Sequence, residues 1–429
     1  MHRISRNRDL NAFLWADPAQ LLAAIQTLAP GSSLAGLPIA VKDNVDTAGI
    51  PTTSGSLVDR DRVPAKDAVV WKRLRDQGGA VLLGKTHMSE FAYRVHHPGL
   101  GWVRNPHDLT RASGGSSSGS AAAVAAGIAP VAIGTDTGGS ARIPAAYCGI
   151  VGYKGSQGLV SVQGVVPLSP TMDHVAVLAR SVGDAALVYQ EMASSYLELI
   201  PPGEAAVPPA EARQLRVGLE RGYLLPGAQR AVLDCWSDAV ARLGAAGCQI
   251  LEIRLPDAKR WRSIHRTILL SEAWRFHAPR VLAGAPYGPL FRAAIGEAKR
   301  ISPESYQAAL EVRLRAAEAM AATFCDIDVL LTPTCPTVAP MIEEGRRGTG
   351  YTRYTTLAAF TGLPAISVPA PVARGRLPVG LQLIGPPRGD DIVVRAAALL
   401  ERLLAGSPPE PRAIRSRSCA ALRLAFRDR

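Results

Sequence analysis

Three stretches of the sequence carry residue types that could supply a nucleophile and its base. Lys42 ends an apolar run, residues 114–119 read Gly-Gly-Ser-Ser-Ser-Gly, and Ser140 follows two glycines. A serine hydroxyl attacks a carbonyl when a base takes its proton and nearby donors stabilise the oxyanion. A neutral lysine can be that base, and glycine lets consecutive backbone N–H groups turn toward one point. Each loop alone is typical of a turn, whereas the combination predicts nucleophilic catalysis.

The pattern around these residues predicts the elements that position them. The run 37–41 is apolar and precedes the turn-rich DNVDTAGIPT, which indicates a buried strand with Lys42 at its end. A helix over 67–77 and a strand over 80–86 then form a βα unit. The small side chains of SAAAVAAG predict a closely packed helix, and 131–136 predicts a strand that ends just before the loop carrying Ser140.

The rest of the chain predicts a large mixed β-sheet surrounded by helices, an α/β fold. We expect one domain over 1–404, in which 195–325 forms a helical cap or insertion, followed by a basic tail over 405–429. The expected elements are a helix capped by Asp184, a linker from 195 to 214, a βαβ unit over 215–256 with its helix at 227–244, a helix starting at Ser302 and Pro303, strands over 328–334, 363–372 and 377–385, and a helix over 390–404.

Composition narrows the class of protein. Hydrophobic residues make up 47% of the 429 residues and charged residues 20%, which is typical of a globular protein with a large core. The N-terminal segment lacks the apolar run of a secretory signal. No stretch approaches the roughly 20 apolar residues that span a bilayer. We therefore expect a cytoplasmic protein without a membrane span.

Charge and cysteine usage argue against nucleic-acid and metal binding. The formal net charge is +12, but the basic clusters lie at the two ends of the chain instead of forming one face, so no nucleic-acid partner is expected. The six cysteines include no C-x-x-C pair, and no H-E-x-x-H is present. We expect neither a metal nor another cofactor.

At these residues the sequence resembles the amidase signature family. The similarity includes GLPIAVKDNVDTAGIPTTSGS around Lys42, the long run over 111–154, and GLPAISVPAP followed by LPVGLQLIG. It extends over residues 30–404. The run over 111–154 is the most specific part.

The resemblance implies a catalytic triad and its supports. Lys42, Ser116 and Ser140 match the family's Lys, cis-Ser and Ser, with a cis peptide bond before Ser116. The matching oxyanion-hole amides are those of Thr137, Gly138, Gly139 and Ser140. Asp136 and Arg142 match a pair that supports the nucleophile loop.

The resemblance also implies the reaction. Burial must lower the pKa of Lys42, so that the neutral amine takes a proton from Ser116 while Ser116 takes one from Ser140. Ser140 then forms an acyl-enzyme with a small-molecule amide, and no cofactor is needed. Aryl and aliphatic amides, carbamates and ureides all remain open as substrates, as do a monomer and a homodimer.

Departures from the family pattern bear on the substrate. In subunits that amidate charged tRNA, an acidic glutamine ligand would fall near Thr352, where this chain has no carboxylate. Malonamide-type enzymes have an arginine where this chain has Ile143, and Arg142 is one position early. A non-catalytic scaffold with this fold and a glutaminase subunit of a tRNA-dependent amidotransferase remain as alternative functions.

Two further interpretations use the serine loop differently. The order Gly115-Ser116-Ser117-Ser118-Gly119 fits a G-x-S-x-G nucleophile elbow with Ser117 attacking, but the segment before it is polar where the motif needs a buried strand. A phosphate-binding loop is disfavoured because G-x-x-x-x-G-K-[ST] is absent. Ser113, Ser117 and Ser118 could line the site or cap the following helix, and we expect them to cap it.

Overall fold

The computed structural model describes residues 1–26, 31–193, 199, 215–255, 258–345, 352–372 and 375–405. Almost all of the expected linker over 195–214 and all but the first residue of the basic tail over 405–429 lie outside the described residues.

The described residues contain thirteen strands. They are β1 (Phe13–Trp15), β2 (Pro38–Lys42), β3 (Val81–Thr86), β4 (Arg104–Asn105), β5 (Asp108–Ala112), β6 (Val131–Thr135), β7 (Val151–Lys154), β8 (Val175–Ala179), β9 (Arg216–Leu219), β10 (Gln249–Glu252), β11 (Val329–Pro333), β12 (Ala365–Ala370) and β13 (Val379–Ile384).

The same part of the chain contains thirteen α-helices. They are α1 (His2–Arg6), α2 (Pro18–Gln26), α3 (Val69–Asp76), α4 (Ser118–Ala125), α5 (Arg142–Cys148), α6 (Val182–Met192), α7 (Arg230–Ala245), α8 (Ala258–Leu282), α9 (Pro289–Gly296), α10 (Pro303–Thr323), α11 (Ile342–Gly345), α12 (Thr356–Thr361) and α13 (Asp390–Ala405).

Eleven of the strands form one mixed sheet, which confirms the predicted fold class. Their order is β1-β3-β2-β6-β8-β7-β12-β13-β11-β9-β10, and β4 and β5 form a separate hairpin. β3, β2 and β6 run parallel to one another, as do β11, β9 and β10. The central strands from β6 to β11 pair antiparallel. The sheet therefore joins two groups of three parallel strands through an antiparallel centre, and β1 adds an antiparallel strand at one edge.

Helices cover both faces of this sheet. Side chains of a strand point alternately to its two faces, and in β6 Val131 and Ile133 belong to one apolar core while Ala132 belongs to another. The first core includes residues of α6, α7 and α13, and the second includes residues of α4 and α5. Such an arrangement explains why the strand segments read as continuous apolar runs in the sequence.

Helix α4 packs against the sheet more closely than larger side chains would allow. Every residue from Ser118 to Val124 is buried. A Cβ at Gly119 would overlap the backbone oxygen of Ala12 and lie 2.6 Å from that of His87. The small residues of α4 thus bring the serine loop, which lies at the N-terminal end of the helix, close to the strand ends.

Two expected helix starts have different outcomes. Ser302 is the N-cap of α10 as predicted, and its side chain accepts a hydrogen bond from Ser305 N. The prediction of Asp184 as the N-cap of α6 is wrong by three residues. Ser181 is the cap, and its Oγ accepts from the backbone N of Asp184 at 3.1 Å. Asp184 lies instead in the first turn, where the helix dipole favours an acidic side chain.

The segment expected as a helical cap or insertion is helical only in part. β9 and β10 lie within it, pair in parallel and belong to the main sheet, so they extend one edge of the fold. The βαβ pattern that predicts them is confirmed. Helices α8, α9 and α10 follow, and together with α12 they contribute to a separate apolar core.

The close packing of α4 predicts that Gly119→Ala destabilises the protein. The added methyl group meets backbone atoms that cannot move away alone, so the free energy of unfolding should fall by about 1 to 3 kcal/mol. Gly183→Ala in α6 is the matched control, because a Cβ there has no atom within 4 Å. Urea denaturation would compare the two variants. Equal effects at both sites would contradict the packing argument.

Candidate active site

Parallel pairing of two strands brings Lys42 to the strand that precedes Ser140. β2 and β6 are neighbours in the same direction, with Val41 opposite Ile133. Both strands therefore end at the same edge of the sheet. There Lys42 Nζ donates hydrogen bonds to Thr135 Oγ1 at 2.7 Å and to Ser116 Oγ at 2.8 Å. Sequence reasoning did not single out Thr135, which fixes the lysine from the neighbouring strand.

The surroundings of Lys42 favour its neutral form. Its side chain is fully buried, and burial lowers its pKa from 10.5 to about 7, against the attraction of Asp136 and Asp173. Burial removes water from the charged amine and so favours the neutral form. No carboxylate among the described residues contacts Lys42 directly to reverse this effect. Near neutral pH a large share of Lys42 is therefore able to accept a proton.

The serine loop brings Ser116 into contact with Lys42 and is joined to the loop that carries Ser140. The peptide bond between Gly115 and Ser116 is cis, as the family resemblance implied. The N–H of Ser117 donates to the backbone oxygen of Ser140 at 3.0 Å, so the two loops are joined directly. Ser116 is buried, whereas Ser140 is partly exposed.

The other serines of this region bond to the protein. Ser117 holds the N-cap position of α4 but makes no capping bond; its Oγ instead donates to Thr135 O at 3.1 Å. Ser118 Oγ lies 2.8 Å from His96 Nε2, and Ser113 Oγ donates to Val103 O at 3.4 Å. The expectation that these serines cap the helix is wrong. The buried position of Ser117 also argues against the elbow interpretation.

A buried ion pair organises the loop that follows β6. Arg142 donates to Asp136 through Nε at 3.0 Å and through Nη2 at 2.8 Å, and neither side chain is exposed. Burial alone would raise the pKa of Asp136, but the Arg142 guanidinium outweighs it and holds that pKa well below its usual value. Arg142 Nη1 also donates to Thr355 O and Gln382 Oε1. Arg142 therefore supports the loop, and its buried guanidinium is not available to bind a substrate.

Two distant residues hold the carbonyl groups of the same loop. His265 Nε2 lies 2.8 Å from Thr137 O, and Thr355 Oγ1 donates to Gly138 O at 2.7 Å. Burial lowers the pKa of His265 to about 4, so its ring is neutral at pH 7 and Nε2 carries the proton that a carbonyl acceptor requires. Sequence reasoning missed both residues, since nothing in their local sequence links them to a loop more than 120 residues away.

These contacts decide where the loop's N–H groups point. The carbonyl of Thr137 and the N–H of Gly138 belong to one peptide group, and in a trans peptide these two groups point in opposite directions. Because the carbonyl faces His265 on α8, the N–H of Gly138 points away from α8. The N–H of Gly139 donates to Asp136 Oδ1 at 2.7 Å and is satisfied inside the protein. The N–H groups of Thr137, Gly138 and Ser140 have no acceptor within the described part of the chain.

A cavity of about 980 Å³ opens onto this site. Ser116 and Ser140 line it together with Thr137 and Gly138, whereas Ser117 does not. Ile143 also lines it, at the position where malonamide-type enzymes have an arginine. A volume of this size accommodates a small molecule. The site can therefore present a serine hydroxyl and several free backbone donors to a bound ligand.

Metal clusters and membrane-spanning helices are both absent from the described residues. No group of three His, Cys, Asp or Glu side chains there is arranged to hold a metal ion. No helix in the same ranges combines the length and apolar character needed to cross a membrane.

Comparison with known proteins identifies the family of this site. A family model described as Amidase matches residues 1–394. The chain belongs to the amidase signature family. A glutamyl-tRNA(Gln) amidotransferase subunit of Halothermothrix orenii is 34% identical over 407 residues, which cover 86% of this chain and 85% of that protein. The fatty acid amide hydrolase of Medicago truncatula is 35% identical, with 89% of this chain and 67% of that protein covered.

Solved structures of this family share the fold. The peptide amidase of Stenotrophomonas maltophilia superposes with a TM-score of 0.80 at 30% identity, covering 94% of this chain and 92% of that one. These three relatives carry different names: an amidotransferase subunit, a fatty acid amide hydrolase and a peptide amidase. Membership of the family therefore supports chemistry on a carbon–nitrogen amide bond and leaves the substrate open.

The contact between His265 and Thr137 predicts that His265→Phe lowers kcat. Phenylalanine fills the site but donates no hydrogen bond, so the loop loses the contact that directs the N–H of Gly138. We expect kcat for an amide to fall by about tenfold to a hundredfold, less than the loss of an oxyanion donor itself, with a smaller change in KM.

His265→Gln is the conservative control, because its amide can still donate to Thr137 O, and it should recover part of the lost kcat. Circular dichroism would verify folding of both variants. A change in KM alone, or equal losses in the two variants, would show that His265 does not position the loop.

Proposed function

We propose that the protein hydrolyses a carbon–nitrogen amide bond through a seryl acyl-enzyme, with Ser140 as the nucleophile, Lys42 as the base and Ser116 as the proton relay between them. The observation that carries this proposal is the contact of a buried lysine, with a pKa of about 7, with Ser116 Oγ at 2.8 Å. Lys154 is also buried with a pKa lowered to about 7, but it donates to the backbone oxygens of Gly155 and Leu363. Contact with a serine hydroxyl that lines the cavity is what distinguishes Lys42.

In the first step the proton moves away from the nucleophile. Neutral Lys42 accepts the proton of Ser116, and Ser116 takes that of Ser140 as the Ser140 oxygen attacks the substrate carbonyl. The C–O bond forms while the carbonyl electrons move to oxygen. The N–H groups of Thr137, Gly138 and Ser140 stabilise this oxyanion, while the N–H of Gly139 fixes the loop through Asp136.

In the second step the tetrahedral intermediate collapses. The C–N bond breaks, and the leaving nitrogen takes a proton from Ser116, which recovers one from protonated Lys42. The product amine leaves, and Ser140 remains as an ester. Water then attacks the ester with the same relay as base, which releases the acid and restores the Ser140 hydroxyl. The sequence of steps uses only side chains and backbone groups of this chain.

A linear amide is the proposed substrate type, with carbamates and ureides as close alternatives.

The glutaminase function is less well supported. The residues at the expected position of the acidic glutamine ligand are Thr352 and Arg353, and both line the cavity. A guanidinium there would repel the ammonium group of glutamine. A non-catalytic scaffold would have no need for a neutral lysine in contact with a serine hydroxyl that lines the cavity.

Substitution of Ser116 tests the relay. An amine leaves poorly unless it is protonated, whereas p-nitrophenolate leaves without help. We expect Ser116→Ala to lower kcat/KM for an anilide by at least about tenfold more than for the matched p-nitrophenyl ester, a difference above about 1.4 kcal/mol in barrier. Steady-state kinetics of both substrates would measure it.

Ser140→Ala is the control and should abolish turnover of both substrates. A fluorophosphonate should label Ser140 of the unmodified protein, as determined by peptide mapping. Label on Ser117 would refute the assignment of the nucleophile. Equal losses of ester and amide turnover in folded Ser116→Ala would limit Ser116 to shaping the loop.

A further inference from the structure

We propose that the amide substrate carries a carboxylate group, which Arg262 and Arg353 bind inside the cavity that holds Ser140. This inference rests on the proposed amide hydrolysis and adds the chemical class of the substrate. It follows from three observations: the charge of the cavity wall, the side chains that leave this charge uncompensated, and the segments that carry them.

The charge of the cavity wall has one sign. Its lining includes five cationic side chains and, among the residues the structure describes, no aspartate or glutamate; the cations are Arg94, Lys259, Arg262, Arg266 and Arg353. Clefts lined by a single sign of charge attract ligands of the opposite sign. A cavity for neutral amides would not need this excess of positive charge.

Two of the five cations already have partners that occupy them. Arg266 forms an ion pair with Glu297. Arg94 lies over the ring of Tyr93 at 5.8 Å. These two side chains are therefore weaker candidates for a ligand site.

Arg353 is held in place without being neutralised. Its guanidinium donates to the backbone oxygens of Tyr223 and Pro226 and stacks on the Tyr223 ring at 4.7 Å. Both acceptors are uncharged, and the buried Nε has no acceptor among the described residues. The protein thus fixes the orientation of this cation and supplies no anion for it.

Arg262 lies beside Arg353 and is free to bind a ligand. The two side chains line a second, small cavity that also includes Tyr223. The Arg262 side chain is exposed and makes no hydrogen bond or ion pair with the described residues. A planar guanidinium can bind both oxygens of a carboxylate at once, and two guanidinium groups in one corner would reinforce this selectivity.

The segments that carry the two arginines both contact the nucleophile loop. Arg262 lies one helical turn before His265 on α8, so the two side chains share a face of the helix, and His265 contacts Thr137. Arg353 lies two residues before Thr355, which contacts Gly138. A carboxylate bound by this pair would therefore share one cavity with Ser140.

This placement differs from the route that the family pattern disfavours. Carboxylate recognition by an arginine three residues after the nucleophile is impossible here, because that residue is Ile143 and Arg142 is buried against Asp136. Arg262 and Arg353 approach the cavity from other segments of the fold. The anionic group would bind at the wall formed by α8 and residues 352–355, away from the pair that supports the loop.

Matched substrates test the inference. Succinamate and glutaramate carry a carboxylate, and the corresponding methyl ketones, 4-oxopentanamide and 5-oxohexanamide, replace it with a neutral group of similar shape. We expect kcat/KM for at least one carboxylate to exceed that of its ketone by at least about tenfold, the size of one charged hydrogen bond. Ammonia release would be measured for all four compounds.

Variants locate the preference. Arg262→Gln and Arg353→Gln should each reduce the ratio of carboxylate to ketone turnover by at least about tenfold. Arg260→Gln is the matched control, because Arg260 is an exposed arginine on the same helix that does not line the cavity, and it should leave the ratio unchanged. Succinamate should also slow fluorophosphonate labelling of Ser140 in the unmodified protein, and this protection should weaken in both variants.

The outcomes separate this inference from the proposed function. If Ser140 is labelled but succinamate and glutaramate give neither preferred turnover nor protection, or if the ratio survives both substitutions, the carboxylate site is refuted while the nucleophile stands. Absence of both labelling and turnover would refute the amide hydrolysis itself. Inhibition by tRNA that is lost in the same variants would assign these cations to nucleic acid and overturn the inference.

Discussion

The loop that carries Ser140, the proposed nucleophile, depends on one buried ion pair, between Asp136 and Arg142. The carboxylate of Asp136 receives the N–H groups of Gly139 and Ala141 as well as the guanidinium, and Arg142 extends the contact to Thr355 and to Gln382 on β13. Desolvation makes a buried ion pair costly, and hydrogen bonds to all its groups offset that cost. One pair therefore joins the loop, the sheet and the segment that leads into α12.

The same ion pair affects Lys42, the proposed base. Burial lowers the pKa of Lys42, while the negative charge of Asp136 works against that shift. Because Arg142 contacts Asp136 directly, its positive charge offsets part of the attraction that would otherwise keep Lys42 protonated. The loop is thus held rigid by a pair whose net charge is close to zero. This arrangement lets a lysine beside a carboxylate remain neutral enough to act as a base.

The sequence predicted the parts of the site that follow apolar strands. Lys42 and Ser140 end or follow strands that alternate into two cores, so their position at one edge of the sheet could be expected from parallel pairing. His265, Thr355 and Thr135 could not be found in this way. They act through contacts with groups distant in the chain, and such contacts leave no pattern in hydrophobic periodicity.

The N-cap predictions for α4 and α6 were wrong, because the local sequence does not decide which side chain makes the capping bond. Ser181 and Asp184 are both good N-caps, and which of them caps α6 depends on where the strand before the helix ends. Ser117 holds a capping position, but the backbone of β6 lies close enough to take its hydroxyl. The sequence predicts β9 and β10 as parts of a βαβ unit, yet only the tertiary structure joins them to the main sheet, where β10 is the edge strand.

NMR titration of lysine side chains labelled with ¹³C at Cε would measure whether Lys42, the proposed base, is neutral at the pH of catalysis. Lys85 and Lys154 are also buried with lowered pKa values of about 8 and about 7, so the Lys42 signal must be assigned by its absence from Lys42→Met. We expect this signal to titrate with a pKa of about 7. A Lys42 signal that remains that of a charged amine up to a pH of about 10, the ordinary range of a solvated lysine, would contradict the account.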